Sequence, residues 1–317
     1  MSVGTEPTLR PTAGSVPDEP PTPPTPGREP SAATVLSEYF EQQVGMIRSL
    51  EAGVRADLPD AVHQMRIACR RLRSALRVYR SLLVAERTEP LRRELAWLGG
   101  MLAGPRDAEV LKQRLGDSLR ELPADAVVGP VAERMATELD ARHHTAHAAL
   151  VEALDGPRHR ALLVCLSGLL DEPPFQALAD APAAKVLPHQ LGKAVARVSR
   201  RWAAACAASG EEQVVLAHEA RKKAKAARYA WEVAVPAIPT GERAVKAWKQ
   251  VTESLGVAQD TVVAREALLE LSAVAQAAGE PGFTYGVLYG RELAHQDDAR
   301  GVADRAVRIA RRASRIH

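Results

Sequence analysis

The sequence predicts an all-α protein, and three observations support that. The composition is 46% hydrophobic but only 4% aromatic, with Ala, Leu, Arg and Glu dominant, a helix-forming mixture poor in the residues that favour strands. Apolar residues recur at helical spacing through most of the chain. A basic helical segment occurs twice, at a nearly constant offset.

Taken in order, residues 1–30 hold nine prolines among Thr, Ser, Gly and Glu and are expected to be a disordered tail. Its PPTPPTP run reads as a flexible leader rather than a ligand for a proline-binding domain. Helical pattern runs from Ser31 to about Asp57, with Val35, Tyr39, Phe40, Val44, Ile47 and Leu50 inward. Pro59 stops it, and Asp60 is expected to cap the next helix.

That next segment, Val62–Leu83, carries six arginines, His63 and no acidic residue. On a helix His63, Arg66, Arg70, Arg73 and Arg77 fall within roughly 80° of one another and form a row about 21 Å long. Met65, Ala68, Leu72, Leu76 and Tyr79 cover the opposite face. A solvated helix would intersperse carboxylates, so the row is arranged to meet an anion. Further helices are expected over 90–102, from Arg106-Asp107 onward, at 129–154 and at 157–170. The second half supplies 184–208, 211–234, 241–255, 259–278 and 282–314, and no strand is expected.

The net charge is only +3, yet 62–83 contributes +6 and 218–228 contributes +4. Such concentration marks a site rather than general stickiness. Cys69, Cys165 and Cys206 are odd in number and widely spaced, which suits free or buried thiols in a reducing cytosol. The longest apolar run, near Ala161–Leu170, is too short to span a bilayer. A soluble, cytoplasmic protein without a membrane partner is expected.

The repeat is specific. His63, Arg66, Arg70 and Arg73 match His218, Arg221, Lys225 and Arg228 at an offset of 155, and Asp107 matches Asp260 at 153. Two homologous bundles of about 140 residues are expected, facing their basic helices toward a shared axis, with Asp107 and Asp260 each capping a helix and orienting one arginine. Lys222, and Lys193, Arg197 and Arg200 on the preceding helix, would extend the basic surface.

The patterns HxxRxxxRRLRxxLR and HExRKxxKxxRYxxE resemble the two signature helices of the CHAD family, and GFTYGVLYGRELAH (282–295) resembles its Gly-punctuated closing helix. The resemblance covers residues 31–315. It implies two antiparallel four-helix bundles (31–175 and 182–315) related by pseudo-twofold symmetry around a central basic channel. It also implies non-catalytic binding of inorganic polyphosphate and association with polyphosphate granules. The implied binding set is His63, Arg66, Arg70, Arg73, His218, Arg221, Lys225 and Arg228, with Arg77 and Lys222 alongside and no cofactor. Two positions depart from the repeat, Val257 opposite Gly104 and Gln259 opposite Arg106, so the second short connection is expected to differ in shape.

Competing readings are weaker. Nucleic-acid binding suits the basic helices, but few aromatics interleave for stacking. Phosphoanhydride chemistry calls for metal-holding carboxylates, and none cluster with the basic rows. His143, His144 and His147, with Asp140 one turn earlier, read as a surface cluster rather than a metal site. Gly192-Lys193 lacks the upstream glycine of a phosphate loop, and His218-Glu219 lacks a second metal-binding histidine. Trp97, Trp202, Trp231 and Trp248 read as core.

Overall fold

Apolar stripes at helical spacing fold this chain into ten α-helices among the residues described by the computed structural model, 29–315, apart from the side chains of 258 and 296–300. The expected disordered tail falls almost wholly outside the described residues. α1 (Ala32–Arg55) is capped by Ser31, whose hydroxyl accepts from the Thr34 amide at 3.1 Å. α2 (Ala61–Val78) carries the first basic row and is followed by α3 (Ala85–Met101), α4 (Ala103–Arg120), α5 (Val131–Asp155) and α6 (Pro157–Asp171). The second half comprises α7 (Ala183–Ala207), α8 (Gly210–Ala234), α9 (Gly241–Ala277) and α10 (Phe283–Ala313). No strand occurs among the described residues; two isolated bridges, Ser31 with Pro182 and Leu83 with Phe175, tie the segment between the halves back onto the first.

Several boundaries differ from expectation for identifiable reasons. Asp60 is not a side-chain cap: it sits in the left-handed region at φ 64° and its carboxylate accepts from the Gln64 side chain at 2.6 Å instead. α3 starts five residues before Pro90, so Pro90 lies within its second turn and leaves the Glu86 carbonyl without an amide donor from its own position. The two helices expected over 241–255 and 259–278 are one 37-residue helix, α9. Asp107 lies inside α4 and Asp260 inside α9, so neither caps a helix.

The hydrophobic residues collect in two cores, and each draws on both halves of the chain. The larger joins α1, α2, α3, α6, α7 and α8 with Leu150 and Leu154 of α5, residues 244–255 of α9 and 303–313 of α10. The smaller joins α4 and the start of α5 with residues 264–275 of α9 and with Tyr285 and Leu288 of α10. Thus α9 contributes to both cores within one helix, where α3 and α4 divide them, and α5 and α10 each reach both. Trp231 and Trp248 are wholly buried and Trp202 nearly so, whereas Trp97 lies at the edge of the core under the Arg158 guanidinium, 4.4 Å from its ring centroid.

The turn from α8 to α9 depends on a glycine. A Cβ at Gly241 would stand 2.8 Å from the Val235 Cα, a backbone atom that cannot swing aside. Gly241→Ala is expected to lower stability by about 1–3 kcal/mol, read by denaturant unfolding.

His143 and His147 are not a loose surface cluster. His143 faces Asp57 Oδ2 at 2.8 Å and the Pro105 carbonyl at 3.2 Å, and His147 donates to the Val54 carbonyl at 2.7 Å. They pin the α1–α2 turn to α5, while His144 is exposed. Burial opposes protonation of His143, but the bonds to Asp57 and Pro105 outweigh it and raise its pKa.

Candidate functional site

α2 and α8 lie against each other at the centre of the larger core. Their contact is fixed by the buried Tyr79 hydroxyl, which donates to the Ala230 carbonyl at 2.7 Å. Leu72, Ala75, Leu76, Ala224 and Ala227 are buried behind it, so the basic residues of both helices are held along one seam.

Both predicted Asp–Arg pairs form. Arg66 Nη1 reaches Asp107 Oδ1 at 2.7 Å, and Arg221 Nη1 reaches Asp260 Oδ1 at 3.3 Å. In each pair the arginine is about one-fifth exposed and the carboxylate far more so, 62% and 42%. An ion pair with such open carboxylates contributes about 0–1 kcal/mol. It orients the guanidinium yet can yield it to a stronger acceptor.

Lys225 stands within the field of Arg66 and Arg70 of α2 and Arg221 of its own helix. Burial and then these three cations lower its pKa to about 7, against which Asp260 pulls upward. Arg70, half-buried, feels Arg66 and Arg73 and lies beside the Tyr229 phenol. The histidines lead the cluster as expected. Burial first, and then Arg106, Arg66 and Arg70, lower the pKa of His63 despite Asp60. Burial and then Lys222, Arg221 and Lys225 do the same to His218, opposed by a hydrogen bond that the ring donates to the Gln259 side chain. The His218 Nδ1 atom is buried without a partner. Arg106 and Gln259, the pair in which the two halves depart from the repeat, therefore occupy the same place beside the two histidines.

The seam continues toward α7. Arg77 feels Arg92, Arg73 and Arg197; with Arg80, Arg197 and Lys223 it lines a cavity of about 250 Å³. Arg73, Arg77 and Arg197 are thus brought to one cationic region. Arg200 and Lys222 are exposed, and Arg200 has no contact that ties it to the seam.

Arg228 is placed differently from its spacing. Its Nε lies 3.3 Å from Glu232, one turn on, and Glu232 also holds Arg71 of α2 at 2.8 Å. Its guanidinium stacks 4.7 Å from the Tyr229 ring centroid. Arg228 therefore shares one carboxylate with Arg71, and its charge is only partly offset. Sequence spacing also missed Arg92, Arg106 and Lys223. Arg106 had a signal, since it precedes the matched Asp107, whereas Arg92 reaches the seam only through packing of α3.

Gly256 serves the seam directly. A Cβ there would approach Arg221 Nη2 to 3.0 Å. Gly256→Ala is expected to displace this flexible side chain, leaving stability within about 1 kcal/mol while weakening anion binding a few-fold, measured by unfolding and titration of the same preparation.

The molecule is thus a helical protein with clustered cations along the seam between two helices of matched sequence. A family model for the CHAD domain matches residues 38–269, and the chain belongs to the CHAD family. It is 33% identical over 288 residues to two uncharacterized proteins from Mycobacterium tuberculosis strains CDC 1551 and H37Rv, covering 89% of this chain and 54% of each relative. The chain thus spans about half the length of the curated relatives it matches. Among solved structures it superposes on PptA from Streptomyces chartreusis with a TM-score of 0.73 at 20% identity, covering 87% of this chain and 99% of that one. The CHAD domain from the plant Ricinus communis gives 0.70 at 22%, with 88% and 92% covered. These likenesses establish the fold. No helix among the described residues is long and apolar enough to cross a membrane.

Proposed function

We propose that this chain binds inorganic polyphosphate, without catalysis, along the seam between α2 and α8. The observation that carries the reading is the grouping of Lys225 with Arg66, Arg70 and Arg221, four cations with two open carboxylates, Asp107 and Asp260, beside them. A linear polyanion offering only oxygen acceptors meets every group there. Arginine forks engage two oxygens at once, and each phosphate contacted releases counterions. Polyphosphate as the particular anion comes from membership in the CHAD family, as does an association with polyphosphate granules.

Titration with polyphosphates of graded length tests the reading. Long chains are expected to bind far more tightly than orthophosphate, with affinity falling about a hundredfold or more between about 50 and 200 mM salt. Equal affinity for orthophosphate would sink it. Nucleic acid is the competing ligand, but the aromatic side chain at the seam, Tyr229, is 2% exposed and covered by Arg228 and Arg71, leaving no free face for base stacking. DNA or RNA is expected to compete poorly at equal phosphate concentration.

Binding should strengthen as pH falls. Lys225, at about 7, and the two histidines, lowered from their usual range, are all cations only in their protonated forms. Polyphosphate favours that form, so affinity rises as the pH drops from about 8 to about 6. Lys225→Arg, charged throughout, is expected to bind several-fold more tightly than the parent at about pH 8 and to flatten this profile. An unchanged profile would show that Lys225 does not face the ligand.

A further inference from the structure

Four cations share a defined space at the far end of the α2 row. Arg77 of α2, Arg80 in the turn after it, Arg197 of α7 and Lys223 of α8 all line the cavity of about 250 Å³. The rest of its wall is apolar, formed by the buried Val78, Ala194 and Ala226, and no described carboxylate lines it. None of the four charged side chains forms a hydrogen bond or ion pair with a described residue. Glu219, the carboxylate that acts on Lys223, is held instead by Arg201 at 2.9 Å.

Buried bonds fix the sides of this cavity. The Tyr79 hydroxyl ties the end of α2 to the Ala230 carbonyl of α8 at 2.7 Å. The Gln190 amide of α7, 7% exposed, donates at 2.6 Å to the Ser81 hydroxyl in the turn that carries Arg80. Four like charges held around so small a space repel one another until an anion sits among them. The row of α2 also stops here, because the helix ends at Val78 and the chain turns away. A polyanion lying along Arg66, Arg70 and Arg73 therefore meets this cavity with its end. An internal phosphate unit offers about one charge and two free oxygens, whereas a terminal one offers nearly two charges and three oxygens near neutral pH. That surplus matches a cavity of unpaired cations.

We infer that the cavity between α2, α7 and α8 seats the terminal phosphoryl group of a polyphosphate chain, so that the protein recognises chain ends. The inference rests on the reading of the seam as a polyphosphate site and adds where the chain stops. Free pyrophosphate presents the same terminal group and is the other source of this chemistry.

The test titrates the full chain, by calorimetry, with a short linear polyphosphate, with the same polyphosphate after both ends are converted to phosphoramidates, and with pyrophosphate. The open-ended chain is expected to bind about tenfold more tightly than the capped one, the yield of one charge-assisted hydrogen bond. Arg197→Gln with Lys223→Gln should remove most of that preference while changing the affinity for the capped chain far less. Neither side chain has a partner to lose, so matched thermal unfolding should be unaltered. Arg200→Gln with Lys249→Gln removes the same charge from exposed positions outside the cavity and should keep the preference. Equal affinity of the parent for open and capped chains, or a preference that survives the Arg197–Lys223 variant, would overturn this proposal and leave the functional reading standing. Pyrophosphate binding as tightly as the open chain would overturn it too, by making the cavity a site for a free small phosphate. Failure of both chains to bind would remove the functional reading and this proposal together.

Discussion

Replacing Arg66, Arg70 and Arg221 together by glutamine should weaken long-chain polyphosphate binding by at least about a thousandfold. Each forms charge-assisted bonds worth about 1.5–3 kcal/mol with an anionic acceptor, and three such losses exceed the figure for that factor at about 1.4 kcal/mol per decade. The effect on folding should be small and of either sign. Loss of the bonds to Asp107 and Asp260 costs little, because those carboxylates remain hydrated, while removal of three like charges around Lys225 relieves repulsion. Arg228→Ala is the internal control. Its guanidinium is held by Glu232, so affinity should stay within about threefold of the parent. Isothermal titration with matched thermal unfolding reads both outcomes. A triple variant that folds and binds within tenfold would move the site elsewhere on the molecule.

What could be read from residues alone divides along the distance over which the cause acts. Helical spacing put Arg66, Arg70, Arg221 and Lys225 on matched faces, and that survives because the buried residues opposite them, Met65, Leu72, Ala220 and Ala224 among them, anchor α2 and α8. The Asp107 and Asp260 pairings were legible from the repeat. Their capping role was not: α4 already begins at Ala103, and α9 runs unbroken through Val257 and Gln259, where the second half lacks the Gly104-Pro105 break of the first. The continuity of α9 had its signal in that missing proline. Arg228 also carried a readable warning, since Glu232 lies four residues on, at the spacing of a helical ion pair. The approach of Arg92 to Arg77 had none, because it depends on how α3 packs against α2, whereas Arg197 stood on the helix expected to extend the basic surface. For the same reason the division of both cores between both halves could not be derived from periodicity, which fixes the face a helix buries but not its partner.

Glu232→Gln is expected to destabilise the free protein and strengthen its grip on polyphosphate. The Glu232 carboxylate joins three helices: it accepts from Arg71 of α2 at 2.8 Å, from the Tyr39 hydroxyl of α1 at 3.4 Å and lies 3.3 Å from Arg228 of its own helix. Its side chain is 15% exposed, so removing its charge leaves two guanidiniums against one neutral amide. Breaking a fully buried pair in this way costs about 3–5 kcal/mol. Here Arg71 is 35% exposed and borders an open cavity of about 800 Å³, where water can reach it, which brings the cost down to about 2–3 kcal/mol. That corresponds to a fall in melting temperature of roughly 4–8 °C for a chain of this size. With the carboxylate gone, Arg228 is released along the same helix as Lys225, and the net charge beside the seam rises by one. Saturating polyphosphate should therefore raise the melting temperature of the variant more than that of the parent. An unchanged melting temperature would show that Glu232 does not bind the helices together. A smaller polyphosphate-induced rise in the variant would show instead that Glu232 orients the binding arginines rather than withholding one of them.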